Sequence, residues 1–168
     1  MIVCHGSNVE IESIQLEKCS KYKDFGQGFY ATVLEEQAER MAIRTVKRFG
    51  GSPTVTFFEF DESELTNLNY KEFKHVDKDW AVFIINNRDK NFKDISSEMS
   101  NHDNKYDVVS GAVANDDIAT TFALYRDGII NMEMLSMRLE YKNLNNQFSF
   151  HTNRAIILLK KVGVKNYG

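Results

Sequence analysis

Cysteine is scarce in this chain of 168 residues, with Cys4 and Cys19 its only examples. Two cysteines without a CxxC pair build neither a disulfide framework nor a cysteine-rich zinc site, so both are expected as free thiols. Long apolar runs are missing as well. The longest, Ala81 to Ile85 and Ala155 to Leu159, fall far short of the roughly 20 residues that cross a bilayer. The N-terminus has no basic start followed by an apolar core, so a cytoplasmic protein without a membrane partner is the expectation. There is no excess of positive charge: 21 Lys and Arg against 24 Asp and Glu leave a net charge of -3. That excludes nucleic-acid binding by bulk electrostatics while leaving a local basic groove open. No P-loop, dinucleotide fingerprint, HExxH or GxSxG is present, which removes the commonest nucleotide-hydrolase, dehydrogenase, metalloprotease and serine-hydrolase chemistries. His5, His75, His102 and His151 are widely separated and lack metal-ligand spacing, so no metal is expected.

What is there reads as one α+β domain over residues 1–168, long enough for one buried core and too short for two ordinary domains. Ile2 and Val3 predict a short strand that delivers His5, Gly6 and Ser7 to its end. Residues 9–22 read as irregular. From Leu34 to Phe49 the apolar positions Leu34, Ala38, Met41, Ala42, Val46 and Phe49 recur at helical spacing, with acids early and bases late to suit the helix dipole. Gly50 and Gly51 end that helix. Thr54 to Phe60 is rich in β-branched and aromatic residues and predicts a strand. Asp61 caps a short helix through Leu65, and a second long helix runs from Asp77 to Asn87 with Trp80, Phe83 and Ile84 on its apolar stripe. Residues 89–105 form a polar loop. Tyr106 to Val113 predicts a buried strand, Asn115 to Asp117 the cap of a helix ending near Tyr125, and a further helix is expected after Asp127-Gly128, with Met132, Leu135, Met137 and Leu139 in it and its end marked by Lys142-Asn143. Gln147 to His151 alternates as a strand, and Asn153 to Lys161 reads as an apolar helix.

The least ordinary stretch is Asp24-Phe25-Gly26-Gln27-Gly28-Phe29-Tyr30-Ala31-Thr32. Two glycines one residue apart allow a close approach of backbone to a flat ligand or another strand. The Phe-Tyr pair that follows sends one ring to each face of a strand. By itself this is also what a strand entered through a Gly-rich turn looks like. Cys4 and His5 do not form a thiol-imidazole dyad, because neighbours on a strand point to opposite faces.

Taken together, Cys4-His5-Gly6-Ser7, the Phe25-Gly26-Gln27-Gly28-Phe29-Tyr30-Ala31-Thr32 segment and a following helix with Gln37-Ala38 resemble the ADP-ribosyltransferase superfamily, in its diphtheria-toxin and poly-ADP-ribose-polymerase branch. Trp80 to Arg88, Tyr106 to Gly111 with Asn115 to Asp117, and Gln147 to Thr152 extend the likeness over nearly the whole chain. They make it similar to bacterial domains of that superfamily that are often encoded beside small antitoxin-like partners. The resemblance implies a split β-sandwich of two small sheets with surrounding helices, and a cleft for NAD between His5 and Tyr30. It implies that His5 hydrogen-bonds the adenosine ribose, that Gly6 meets the nicotinamide amide through its backbone and that Ser7 supports that amide. Gly26, Gly28, Phe29 and Tyr30 would complete the pocket, with Tyr30 stacked on the nicotinamide ring. The chemistry of each residue suits its role: glycine admits close backbone approach, a hydroxyl suits an amide, and an aromatic face suits a planar cationic ring.

The branch places a glutamate on a late strand, where its charge stabilises an oxocarbenium-like transition state. Here Gln147 occupies that position, able to orient a ribose hydroxyl but carrying no charge. This departure fits a mono-ADP-ribosyltransferase, or a domain that binds NAD without turning it over, better than a polymerase. Glu140, Asp107 and Asp117 are alternative carboxylates, each also explained as a helix-face charge, strand-end residue or cap. The Arg88 guanidinium matches phosphate oxygens and is a candidate for the pyrophosphate, or equally an arginine that ends a helix. The implied function is transfer of single ADP-ribose units from NAD to a macromolecule by a toxin or effector restrained by an antitoxin protein. Alternatives are a non-catalytic NAD-binding or protein-interaction module and an NAD glycohydrolase.

Overall fold

Strand alternation in this chain is strong enough to build one seven-stranded mixed sheet, seen in a computed structural model that describes residues 1–114, 117–139 and 146–168. In chain order the strands are β1 (Ile2–Ser7), β2 (Phe29–Thr32), β3 (Thr54–Glu59), β4 (Tyr70–Glu72), β5 (Val108–Ala112), β6 (Asn146–Phe150) and β7 (Lys160–Asn166). They lie side by side in the order β4-β5-β6-β2-β1-β3-β7. Every pairing is antiparallel except β4 with β5. The helices are α1 (Glu35–Phe49), α2 (Lys78–Arg88), α3 (Ile118–Arg126), α4 (Met132–Leu139) and α5 (Asn153–Ile156).

The sheet is weakest in the middle. β1 pairs with β3 from Ile2↔Glu59 to Ser7↔Thr54, and β2 pairs with β6 from Phe29↔Phe150 to Thr32↔Gln147. Between β1 and β2, however, the register is confined to Cys4↔Thr32. Two half-sheets, β4-β5-β6-β2 and β1-β3-β7, therefore meet at a single rung.

Alternation sorts the side chains onto two faces. On one, Val3, Phe29, Ala31, Phe58, Phe60, Val108, Phe148 and Phe150 form an apolar core that spans both half-sheets. On the other, α1 covers β1 and β3 through Ala38 and Ala42, with Cys4 and Val55 beneath. The helices α2, α3 and α4 close the far half of this face with Trp80, Phe83, Ile84, Ile118 and Leu135. Asp77 caps α2 by accepting from the Trp80 amide at 2.9 Å, and the Trp80 indole donates to the Ala112 carbonyl at 3.1 Å, pinning α2 to the end of β5. What remains between α1 and α2 on this face is a polar strip over β2 and β6.

Several expectations need correction. The His-Gly-Ser residues lie within β1 rather than beyond its end. The Gly-rich stretch is the turn-then-strand alternative, residues 24–28 turning and the strand beginning at Phe29. The apolar helix expected over 153–161 stops at Ile156, and from Lys160 the chain becomes the edge strand β7, paired with β3. Its Lys161 and Lys165 reach Glu10, Glu12 and Glu35. Tertiary pairing outweighs the helical spacing of Ala155 to Leu159. β4 was hidden in a polar segment, since three residues carry no readable period. Asn115, Asp116, Glu140, Lys142 and Asn143 lie outside the described residues.

Candidate functional site

The turn before β2 sets the site. Gly26 has φ 97°, and a Cβ there would stand 2.9 Å from the Asn101 carbonyl oxygen. Gly28 is pressed against His151, where a Cβ would fall 2.6 Å from Nδ1. Both glycines are thus required by packing inside the protein. The turn is closed by Tyr30, whose hydroxyl donates to the Gly26 carbonyl at 2.7 Å and accepts from the Phe25 amide at 2.9 Å. Burial, then the nearby Asp24 carboxylate, pushes the Tyr30 phenol well above its ordinary value. It stays neutral at physiological pH. Its ring leans on Phe25 and stands edge-on to His151.

His5 belongs to the opposite face. Its imidazole stacks on Phe29 with ring centres 4.4 Å apart, and Phe29 is itself in the core. His5 Nδ1 lies 2.7 Å from the Tyr30 carbonyl oxygen. A carbonyl only accepts, so Nδ1 carries the proton and Nε2 a lone pair. Burial lowers the pKa of the ring, which keeps it neutral at pH 7. The side chain of His5 thus bridges the two half-sheets just past the rung at Cys4↔Thr32. Nε2 has no hydrogen-bond partner among the described residues. Gly6 serves α1: a Cβ there would stand 1.8 Å from the Ala38 carbonyl oxygen. Ser7 points to Asn8 at 3.4 Å.

Gln147 faces the polar strip, opposite Thr32 on β2 and Gly111 on β5. Its Nε2 donates to Asp24 Oδ2 at 3.1 Å, and the same oxygen accepts from the Ala114 amide at 3.1 Å. Asp24 Oδ1 takes Arg88 Nε at 2.9 Å and Nη2 at 2.6 Å. A carboxylate only accepts, so the Gln147 nitrogen is the atom turned toward it. The amide oxygen, Oε1, is turned away from Asp24 and has no hydrogen-bond partner among the described residues. Thr32 Oγ1 donates to Gln37 Oε1 at 2.9 Å, which ties the first turn of α1 to the strip.

Of the residues singled out in the sequence, His5, Gly6, Tyr30 and Gln147 gather around the junction of β1, β2 and β6. Phe29 is under His5 as support. Arg88 does end α2, and its Nε and Nη2 are directed at Asp24 in an internal ion pair. Asp107 is committed to structure: its carboxylate accepts from Thr152 Oγ1, Arg154 Nη2 and the Asn69 amide. Asp117 stands at the N-terminus of α3, its carbonyl accepting from the Thr121 amide. Asp24, Thr32 and Gln37 escaped notice as site residues. Asp24 stood at the head of the Gly-rich motif, yet nothing local tells that it meets a residue 123 positions away.

A mixed α/β sheet with helices, joined at its centre by a single rung and carrying beside it an amide bonded to an ion-paired carboxylate on one face and an imidazole on the other, is the class that fold and strip define. The chain belongs to the family DUF3990, described as a protein of unknown function, whose model matches residues 1–161. No curated protein and no solved structure matches it. Among the described residues no helix is long and apolar enough to cross a membrane, and no group of three or more His, Cys, Asp or Glu could hold a metal ion.

Proposed function

We propose that this protein has an ADP-ribosyltransferase-like fold and transfers a single ADP-ribose unit from NAD to a macromolecular acceptor in the cytoplasm, restrained by an antitoxin protein. The observation that carries the proposal is the meeting of His5, Tyr30 and Gln147 where the ladder between β1 and β2 stops at Cys4↔Thr32. Three short motifs spread over the whole chain meet at this break in the ladder, His5 on one face of the sheet and Tyr30 and Gln147 on the other.

In this scheme NAD is a substrate. His5 Nε2 accepts from a hydroxyl of the adenosine ribose, the Gly6 main chain and Ser7 meet the nicotinamide amide, and the Tyr30 ring flanks the nicotinamide. Gln147 Oε1 accepts from a hydroxyl of the nicotinamide ribose. The bond between ribose C1′ and the pyridinium nitrogen breaks, and nicotinamide leaves with the bonding pair. A lone pair of the acceptor forms the new bond to C1′, and the acceptor's proton passes to solvent. Arg88 holds Asp24.

Incubation of the protein with adenylate-labelled NAD and a cell lysate tests this. Label on a macromolecule is the expected result. Free ADP-ribose alone would mean hydrolysis, and intact NAD with measurable binding would reduce the protein to a binding module. Loss of the oriented acceptor in Gln147→Ala is expected to lower kcat about 10²-fold while NAD affinity changes little. An unchanged kcat in that variant removes Gln147 from the site.

A further inference from the structure

We propose that Asp24 is the positioning residue that turns a neutral glutamine into a working substitute for a carboxylate, an inference that rests on the ADP-ribosyl transfer proposed above. A glutamine amide in a pocket has two flips. Only the one with Oε1 outward presents an acceptor to a ribose hydroxyl, and the other presents a donor. The Asp24 carboxylate, 3.1 Å from Nε2, rules out the second, because two oxygens would then face each other. The same hydrogen bond is charge-assisted and draws electron density toward Oε1. A carboxylate, ion-paired through its other oxygen with Arg88, thus stands one hydrogen bond behind Gln147.

Asp24 is itself fixed from three directions. Arg88 at the end of α2 grips Oδ1 through two nitrogens, and the Ala114 amide just past β5 and Gln147 on β6 share Oδ2. Its side chain is only 12% exposed and that of Arg88 28%, so the pair lies well within the protein and is screened less than a surface bridge. The rival explanation is a clamp that holds the 24–28 turn against α2 and contributes to folding alone. The two differ in what moving the charge does. If the carboxylate serves Gln147, it can be transferred to position 147 provided that Asp24 gives up its own. If it is a clamp, the two changes simply add.

The experiment compares wild-type protein, Asp24→Asn, Gln147→Glu and the double variant Asp24→Asn/Gln147→Glu in NAD turnover, reading kcat and KM separately. Asp24→Asn is expected to lower kcat about 10²-fold with KM for NAD within about threefold of wild type. Gln147→Glu alone sets two carboxylates in contact, which disfavours the ionised pair, and kcat is expected to fall similarly. The double variant is expected to recover at least about tenfold over either single one, a non-additivity that marks direct coupling. A kcat of Asp24→Asn equal to wild type, or a double variant worse than both singles, overturns the role of Asp24 while leaving the transfer reaction standing. Wild-type protein that never turns NAD over overturns the transfer reaction itself. Should Asp24→Asn fail to fold, the Gln147 side-chain amide of the wild-type protein decides by nuclear magnetic resonance. One proton shifted well downfield of the other supports a carboxylate partner, and a pair at the positions of a solvated glutamine overturns it.

Discussion

Tyr30 meets His5 through its main-chain carbonyl, while its side chain turns to the other face of the sheet. Its place beside His5 follows from the motif, but its hydroxyl is spent within the protein, closing the 24–28 turn through Gly26 and Phe25. The ring is what remains to meet a ligand. Tyr30→Phe keeps the ring and leaves two partly buried main-chain groups without their partner, a change that costs about 1–3 kcal/mol for each buried group left unsatisfied. Urea unfolding is expected to show that loss while NAD affinity stays near wild type. Tyr30→Ala removes the stacking surface as well and is expected to weaken binding in addition. Equal affinity losses in the two variants would place the hydroxyl, and not the ring, at the ligand.

At the scale of elements, the contact between β1 and α1 decides whether the site exists. Gly6 has no room for a side chain because the Ala38 carbonyl and the Ala42 amide press on its α-carbon, at 1.8 and 2.9 Å from where a Cβ would sit. Both partners are helix backbone and cannot swing aside. Gly6→Ala is therefore expected to push α1 off the sheet and to destabilise the protein at or above the roughly 1–3 kcal/mol typical of overpacking. A denaturation midpoint unchanged by Gly6→Ala would show that α1 docks less tightly than this. The helix itself was plain in the sequence, with its period, its Glu35 and Glu36 at the start and Lys47 and Arg48 at the end. So were β3, α2 and the alternation of Gln147 to His151. The close approach that Gly6 permits was also legible, though α1 is what approaches. Missing from view were β4, too short for a period, and β7, where a strand partner far back in the chain overrides local spacing. The Asp24 cluster was invisible for the same reason: hydrogen bonds that span β2, α2, β5 and β6 leave no local pattern.

The molecule as a whole is tied together on the far side of β6 by His151 and Asp107, and that joint makes it sensitive to acid. His151 is 2% exposed. Its Nδ1 donates to the Gln27 carbonyl at 2.8 Å, and Nε2 lies 2.7 Å from the Ser149 hydroxyl. Around it stand Gly28, the edge of Tyr30 and, as the charged neighbour, Asp107. Burial outweighs the Gln27 hydrogen bond and the Asp107 charge and lowers the His151 pKa from 6.5 to about 4. The folded ring thus resists a proton that the unfolded chain accepts, and between those two values the unfolded state binds more protons. The contribution of His151 is complete above pH 6.5 and is lost as pH falls from there to about 4, amounting to about 3 kcal/mol by linkage. Asp107 extends the loss. Burial alone would raise its carboxyl, but hydrogen bonds from Thr152, Asn69 and Arg154 prevail and hold it below the usual aspartate value. Its contribution is present above the unfolded aspartate pKa and disappears as pH falls through the folded one. Melting temperature is expected to decline from pH 6.5 downward in two successive stages. His151→Asn, which keeps a donor for Gln27, is expected to be less stable than wild type at pH 7 yet to show a flatter slope between pH 6.5 and 4. An identical slope in wild type and variant would mean that another group, not this buried imidazole, carries the acid sensitivity.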